Sequence, residues 1–343
     1  GIRDDLVTGV QTCALPISSL ITRDHLDAGK LAANFESEGY DGVYTFEGPH
    51  DPFLPLSIAC GTTSTIDLMT SVAIGFARNP MILANLGYDL QLMSKGRFTL
   101  GLGSQIKPHI EKRFSMPWSS PAKRMGEMVA AIKAIWNAWQ FQEPLNFRGE
   151  FYSHTLMTPF FNPGENPFGI PKILMAAVGP MMLKAAAENA DGIIVHPFHS
   201  AKSFHELTLP ALGNRFQDNN FDIVIGLIVG LGTTQDEIDQ AKLSCASQIS
   251  FYGSTPAYKG MLEVHGFEDL HLELNRLSKQ GEWIKMREII PDEVLQKFAI
   301  IGTPAEVGKE LLSRYDAKIA RVQPTIYTSQ PELQSEFFNF IKG

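Results

Sequence analysis

The chain has 343 residues, 44% of them hydrophobic, which suits one large domain or two medium ones with a substantial buried core. Its 37 acidic and 29 basic residues give a formal net charge of -8, which argues against nucleic acid or an anionic membrane as a partner. Cys13, Cys60 and Cys245 lie too far apart in sequence for a typical disulfide framework or structural zinc site, and no apolar run is long enough to span a membrane. We therefore expect a cytoplasmic protein.

The first 18 residues show no helical or strand periodicity. They are similar to translated adapter sequence of the kind that contaminates the ends of some metagenomic genes, so we hypothesise that residues 5–18 are not native. Residues 19–21 would then be the remnant of a first strand, and residues 19–343 a single domain. An uninterrupted genomic reading frame through residues 5–18 would refute this hypothesis.

Strand-like and helix-like runs alternate along the rest of the chain. The expected strands are residues 19–21, 42–46, 66–76, 97–102, 172–178, 191–195, 222–231 and 320–327. The expected helices are residues 23–38, a short helix after the turn at 46–56, then 80–92, 122–140, 181–189, 236–249 and 303–315. This alternation predicts an α/β protein, a (β/α)8 TIM barrel. Two irregular segments, 146–166 and 251–295, are expected to form walls at the C-terminal face, where barrel enzymes hold their sites.

The most informative stretch is the fourth expected strand, in which bulky and small residues alternate. Gly101 and Gly103 would weaken a strand that only packs, and glycine is common where a ligand approaches the backbone closely. Ser104 and Gln105 offer hydrogen bonds just past the strand end. An ordinary tight turn after a strand would show the same residues.

Two other strand ends carry candidate groups. His50 lies in the sequence Glu-Gly-Pro-His-Asp-Pro after strand two, where it could act as a general acid or base, with Glu47 and Asp51 as orienting carboxylates. The alternative is a histidine that only hydrogen-bonds its turn. After strand five, residues 176–181 begin a helix whose first N–H groups would attract phosphate, although a plain strand-to-helix turn explains the same sequence.

His196, His199 and His205 follow strand six. Pro197 discourages the helix that would align the first two for metal binding, so we expect no metal site. His196 is expected to face the substrate instead.

Taken together, these stretches resemble the luciferase-like monooxygenase superfamily. Its members carry a run similar to Ser-x-Gly-Arg-x-x-Leu-Gly-x-Gly-x, here residues 94–104, at the fourth strand of a (β/α)8 barrel. The resemblance covers residues 21–327 and is strongest to the branch that depends on the deazaflavin F420. It implies an F420-dependent oxidoreductase that transfers a hydride between C5 of the deazaflavin and a small organic substrate.

The resemblance also implies site residues. Relatives have a similar Thr-Ser-Val run with a non-prolyl cis peptide behind the deazaflavin, here the Ser71–Val72 bond, and an Asp-His or Glu-His pair after strand two, which Glu47 and His50 match only with a gap. A similar Ala-Ala-Gly-Gly-Pro run holds the phosphate-bearing tail of the cofactor, and here Val178 replaces its first glycine. The implied catalytic residues are His50 and Glu47. The implied cofactor-binding residues are Ser71, Val72, Gly101, Gly103, Ser104, Gln105, Ala177, Gly179, Pro180 and Met181.

Several alternatives remain open. A local basic cluster of Lys107, His109, Lys112 and Arg113 either anchors the cofactor phosphate or is a solvated loop. Sugar-phosphate dehydrogenases of the F420 branch carry a glutamate where this chain has Ile106, so phosphosugar oxidation is not expected. The other candidate functions are a monooxygenase that uses reduced FMN and a non-catalytic flavin-binding barrel. Relatives are often homodimers, which is the expectation here.

Overall fold

A closed ring of eight parallel strands forms the centre of the molecule, and this confirms the predicted (β/α)8 barrel. The computed structural model describes residues 15–20, 22, 24–315 and 319–342. The strands are β1 (Leu15–Ser19), β2 (Gly42–Thr45), β3 (Asp67–Thr70), β4 (Phe98–Gly103), β5 (Lys172–Ala177), β6 (Gly192–Val195), β7 (Asp222–Leu231) and β8 (Arg321–Tyr327). Each strand pairs with the next, and β8 pairs with β1 to close the ring.

Helices surround this ring, and the first five pack each on the next in sequence order. They are α1 (Asp27–Ser37), α2 (Phe53–Thr62), α3 (Pro80–Met93), α4 (Pro121–Phe141), α5 (Pro180–Asn189), α6 (Gln235–Gly253), α7 (Glu268–Gln280), α8 (Trp283–Glu288), α9 (Asp292–Phe298), α10 (Pro304–Arg314) and α11 (Glu332–Lys342). Shorter helices lie at Ala201–Ser203, Leu209–Leu212 and Lys259–Glu263. Within the described ranges, none of the helices has the length and apolar character needed to cross a membrane.

Local signals set several helix starts. The Asn79 side chain accepts a hydrogen bond from the Ile82 N–H at 3.0 Å, and Pro80 occupies the first turn, as the sequence predicts for α3. Thr303 caps α10 in the same way and exchanges hydrogen bonds with Glu306. These starts fix where the strand-to-helix turns lie above the barrel.

The first strand differs from its prediction. It runs over Leu15–Ser19 rather than 19–21, and it pairs with both β2 and β8. Residues 1–14, Ile21 and Arg23 lie outside the described residues, so the expectations that fall on them concern the sequence alone. The hypothesis that residues 5–18 are not native stays a prediction.

Two further elements correct the sequence expectations. The third strand ends at Thr70, and the chain pairs again with β4 only at Ala73–Ile74, so the expected continuous strand over 66–76 is broken. Helix α11 follows β8, although residues 303–315 were expected to be the last barrel helix. Its buried side chains recur at helical spacing and cover β1 and α10, a signal that the sequence contains; they are Leu333, Phe337, Phe338 and Ile341.

Packing inside the barrel depends on a missing side chain. A Cβ on Gly101 would lie 1.8 Å from the Thr70 carbonyl oxygen and 2.8 Å from Cδ1 of Ile194. The Thr70 hydroxyl donates to the Gly101 carbonyl at 2.8 Å and accepts from the Gly101 N–H at 2.9 Å. Glycine is therefore required here so that β3 and β4 can approach closely beneath the mouth of the barrel.

We predict that Gly101→Ala destabilises the fold by about 3 kcal/mol or more, because the added methyl group meets backbone that cannot move without parting two strands. Gly61→Ala is the matched control, since a Cβ added at that exposed helical glycine would have nothing within 4 Å and the alanine gains helix propensity. Urea unfolding of both variants measures the difference. Equal free energies of unfolding for the two would contradict the packing argument.

Candidate active site

A cavity of about 600 Å³ opens at the C-terminal ends of the strands. Its lining comes from β3 to β8 and the loops that follow them, and no described residue of β1 or β2 contributes to it. Its size lies in the usual range for small-molecule and cofactor sites. Catalytic and binding groups of parallel barrels gather at this face, so this cavity is the candidate site.

Seven of the ten residues implied to bind a cofactor line this cavity: Ser71, Val72, Gly103, Ser104, Gln105, Ala177 and Gly179. Gly101, Pro180 and Met181 are outside the lining. Gly101 is enclosed by β3 and β6, as described above, and the Met181 side chain is 76% exposed while Met182 faces the cavity instead. Contact of these residues with a cofactor stays a prediction.

The floor of the cavity is polar but uncharged. The Ser71 hydroxyl donates to Oε1 of Gln323 at 2.7 Å, and the buried Tyr44 hydroxyl bonds Gln323 and Ser19. The Ser71–Val72 peptide bond is cis, as the resemblance implies. The Val72 side chain packs against Gly103, where any larger residue would clash, because a Cβ at position 103 would lie 2.7 Å from Cγ2 of Val72. The floor is thus shaped by small groups that leave room above it.

One side of the cavity suits an anion. Gly179 is the N-cap of α5, so the N-terminal end of that helix, with its partial positive charge, borders the cavity. Lys107 lies on the loop after β4, the strand that pairs with β5, and its Nζ is 3.8 Å from Oε1 of Glu111. Of the described residues that line the cavity, Lys107 is the only one with a charged side chain. The rest of the expected basic cluster lies outside the lining, and Arg113 donates to the Gly48 carbonyl at 2.6 Å.

His196 also lines the cavity, at the end of β6, beside the end of β5 because Val195 pairs with Ala177. Its ring stacks on Tyr258 with 4.3 Å between centroids and meets Tyr252 edge-on at 4.5 Å. The Phe198 N–H donates to its Nδ1 at 3.1 Å. Burial, with a smaller contribution from the neighbouring His199, lowers the pKa of His196 to about 3. The ring is therefore neutral near pH 7.

The neighbouring histidine is bound within the protein. Nδ1 of His199 lies 2.8 Å from the His196 carbonyl oxygen, and Nε2 lies 2.8 Å from the Tyr315 hydroxyl. Both ring nitrogens are thus occupied. Nowhere in the described ranges do three or more His, Cys, Asp or Glu side chains come together as potential metal ligands.

The structure places His50 away from this cavity. His50 is exposed and borders a separate cavity of about 30 Å³ over β1 and β2, where its ring lies 4.9 Å from that of His25. His50 is thus not among the residues that line the main cavity. The catalytic role implied for it stays a prediction.

Glu47 and Asp51, the expected orienting carboxylates, both bind Arg78. Glu47 accepts from Arg78 at 2.6 Å and from the Ile74 N–H at 2.7 Å, and Asp51 accepts from Arg78 at 2.9 Å. The Glu47 side chain is 7% exposed, so this pair is buried and its loss would leave an uncompensated charge. These contacts assign Glu47 to holding the loop after β2 against the end of β3.

Of the two segments expected to form walls of the site, one lines the cavity. Ala257 and Tyr258, from the segment after α6, line the cavity. Residues 146–166 do not: they form a hairpin of Phe147–Arg148 with Ser153–His154, held on α4 because Glu127 accepts from three backbone N–H groups. The sequence analysis did not single out the lining residues Pro121, Met182, Ile194, Gly226 and Gln323. The polar Gln323 in the last strand was the local signal available.

Comparisons with known proteins agree with this architecture. The family described as Luciferase-like monooxygenase matches residues 21–321. An uncharacterized protein of Mycobacterium tuberculosis is 47% identical over 310 residues, which cover 89% of this chain and 91% of that protein. A 5,10-methylenetetrahydromethanopterin reductase of Archaeoglobus fulgidus is 28% identical over 303 residues, which cover 84% of this chain and 85% of that protein.

A solved structure shows the same fold. The coenzyme F420 dependent tetrahydromethanopterin reductase from Methanopyrus kandleri superposes with a TM-score of 0.75 at 18% sequence identity, covering 95% of this chain and 96% of that chain. Because the family match spans most of the chain and a relative at 47% identity covers 89% of it, the chain belongs to the luciferase-like monooxygenase family.

Proposed function

We propose that this protein is an F420-dependent oxidoreductase that transfers a hydride between C5 of the deazaflavin and an organic substrate. Family membership supports the broader class, an oxidoreductase that uses a flavin or F420. Two similar proteins, from Archaeoglobus fulgidus and Methanopyrus kandleri, are named as reductases, and the second is named as F420 dependent. These names support the choice of F420.

The observation that carries the proposal is the division of the cavity. Lys107 and the N-terminal end of α5 lie at one side, and the remaining lining is uncharged and mostly apolar. A ligand with a flat apolar ring and a phosphate-bearing tail matches this division, because the phosphate gains charge-assisted hydrogen bonds and the ring leaves water. F420 and FMN both have this form.

In this proposal the chain binds and orients, while the bound cofactor supplies the hydride chemistry. The side chains of Val72, Met182 and Ile194 would enclose the ring and exclude water. Lys107 and the first N–H groups of α5 would hold the phosphate, with Gly179 leaving that approach open, since nothing lies within 4 Å of a Cβ built there. No described lining residue is a carboxylate.

The second candidate is a monooxygenase that uses reduced FMN and oxygen, which the description of the family favours. A barrel that binds a flavin without turnover is the third. The identity of the cofactor separates the first two, since deazaflavin lacks the nitrogen that supports a peroxyflavin.

We predict that F420 quenches the intrinsic fluorescence of the purified chain at micromolar concentration and that FMN at the same concentration does not. Trp118 in the cavity lining is a suitable reporter. Tighter binding of FMN would replace the proposal with the monooxygenase. Binding without oxidation or reduction of F420 across a panel of alcohols and ketones would favour the non-catalytic barrel.

Lys107→Gln is expected to weaken F420 binding by about 2- to 5-fold, because a solvent-exposed ion pair contributes up to about 1 kcal/mol. Lys112→Gln is the matched control, since Lys112 lies in the same loop outside the lining. Titrations at low and high salt measure both. Equal weakening in the two variants would indicate a general effect of charge rather than a phosphate contact.

His50→Ala is expected to change the dissociation constant of F420 by less than about twofold, because His50 borders the separate small cavity. Fluorescence titration of the variant beside the wild-type chain measures this. A loss of affinity of tenfold or more would contradict the placement of His50 outside the cofactor-binding cavity.

A further inference from the structure

We infer that His196 is a catalytic residue that donates a hydrogen bond from Nε2–H to an uncharged substrate oxygen, so that the substrates are neutral carbonyl or hydroxyl compounds. Phosphates and carboxylates are excluded from this class. The inference rests on the proposed function, because it names the substrate class of the same cavity.

The backbone fixes the tautomer of His196. A neutral imidazole has one nitrogen that donates and one that accepts. The Phe198 N–H donates to Nδ1 at 3.1 Å, so Nδ1 accepts and the ring proton is on Nε2. The turn that presents this N–H is itself held, because the His196 carbonyl bonds His199 at 2.8 Å. Nε2 has no protein acceptor among the residues that the structure describes, and its ring lines the cavity.

The aromatic surroundings keep this donor neutral. Tyr258 covers one face of the ring, and Tyr252 on α6 meets it edge-on. Burial among these rings disfavours a charged imidazole, and His199 adds a smaller repulsion. A neutral ring attracts an anion far less than an imidazolium would, but it can still donate one hydrogen bond.

The side chains around His196 carry no charge that would bind an anion, and in the proposed function the nearby start of α5 holds the cofactor phosphate. The neighbours of His196 in the lining are uncharged, including Pro197, Ala257, Tyr258 and Gln323, and Lys107 follows β4 rather than β6. A carboxylate or phosphate placed beside His196 would lose its hydration without gaining a cation, which is costly. A ketone, aldehyde or alcohol loses much less.

The hydrogen bond would act on the oxygen at which charge develops. In the reducing direction, the carbonyl carbon would gain a hydride with its two electrons from reduced F420, which is thereby oxidised and also releases a proton to water. The carbon–oxygen π bond would break, and the oxygen would take a proton from water to give the alcohol. A fixed N–H donor directed at that oxygen stabilises the charge before the proton arrives. His196 keeps its own proton throughout, and alcohol oxidation is the reverse.

The tautomer is tested by nuclear magnetic resonance of the full chain labelled with ¹⁵N-histidine. The signals of His196 are those lost in His196→Gln, and His109→Gln, in the exposed loop, is the control for the assignment. We expect a neutral ring with its proton on Nε2 throughout pH 5 to 8. Protonation within that range, or a proton on Nδ1, would overturn the inference.

The substrate class is tested with two probes of similar size, cyclohexanone and cyclohexanecarboxylate. We expect cyclohexanone to shift the Nε2–H signal and cyclohexanecarboxylate to leave it unchanged. His196→Phe, which keeps a ring and removes the donor, should weaken cyclohexanone binding about tenfold, while His196→Gln, which keeps an N–H donor, should stay within about threefold. A shift with the carboxylate, no shift with the ketone, or equal ketone affinity in the two variants would contradict the inference.

A parallel titration with F420 separates this inference from the proposed function. Wild-type F420 affinity in His196→Phe shows that the variant is folded, so a loss of ketone binding then reports the missing donor. If the wild-type chain binds cyclohexanone through His196 and does not bind F420, the proposed function fails and the assignment of the donor stands.

Discussion

The close approach of β3 and β4 at Gly101 is the constraint on which the site depends. With no side chain at that position, the Thr70 hydroxyl can bond both backbone groups of Gly101, and the two strands reach the mouth of the barrel side by side. Ser71, Val72 and Gly103 then stand directly above this contact. Because Gly103 also lacks a side chain, Val72 fits against β4 and the space above it remains open. The open space of the cavity therefore results from the close packing of β3 and β4 at these two glycines.

Above that floor, the mouth is divided by charge. Lys107 and the N-terminal end of α5 follow β4 and β5 and suit an anionic group, while His196 and its tyrosine neighbours follow β6 and suit a neutral one. The buried contacts among Glu47, Asp51 and Arg78 lie outside this cavity and secure the loop after β2. The ion pairs of Arg78 therefore hold the loop after β2. The donors in the large cavity, Lys107, the first N–H groups of α5 and His196, are available to bind ligands.

The sequence predicted the barrel because its signals are local. Strand periodicity, the Asn79 cap and the glycines of β4 are each readable within a few residues, and the expected β7 has the bounds that the structure shows. The partner of Glu47 was not readable, because Arg78, which donates to it, lies 31 residues further along the chain. The hairpin after α4 was misplaced for the same reason, since Glu127 holds it from another element. The role of a side chain that depends on contacts between residues far apart in sequence can be predicted only once the fold is known.

The cavity over β3 to β8 is the proposed binding site of the cofactor, and a crystal structure of the full chain grown with F420 would test this directly. We expect density for the deazaflavin against Val72 and Ile194, with the phosphate near Lys107 and the start of α5. Density in the small cavity beside His50, or F420 bound elsewhere with the large cavity filled only by water, would contradict this assignment.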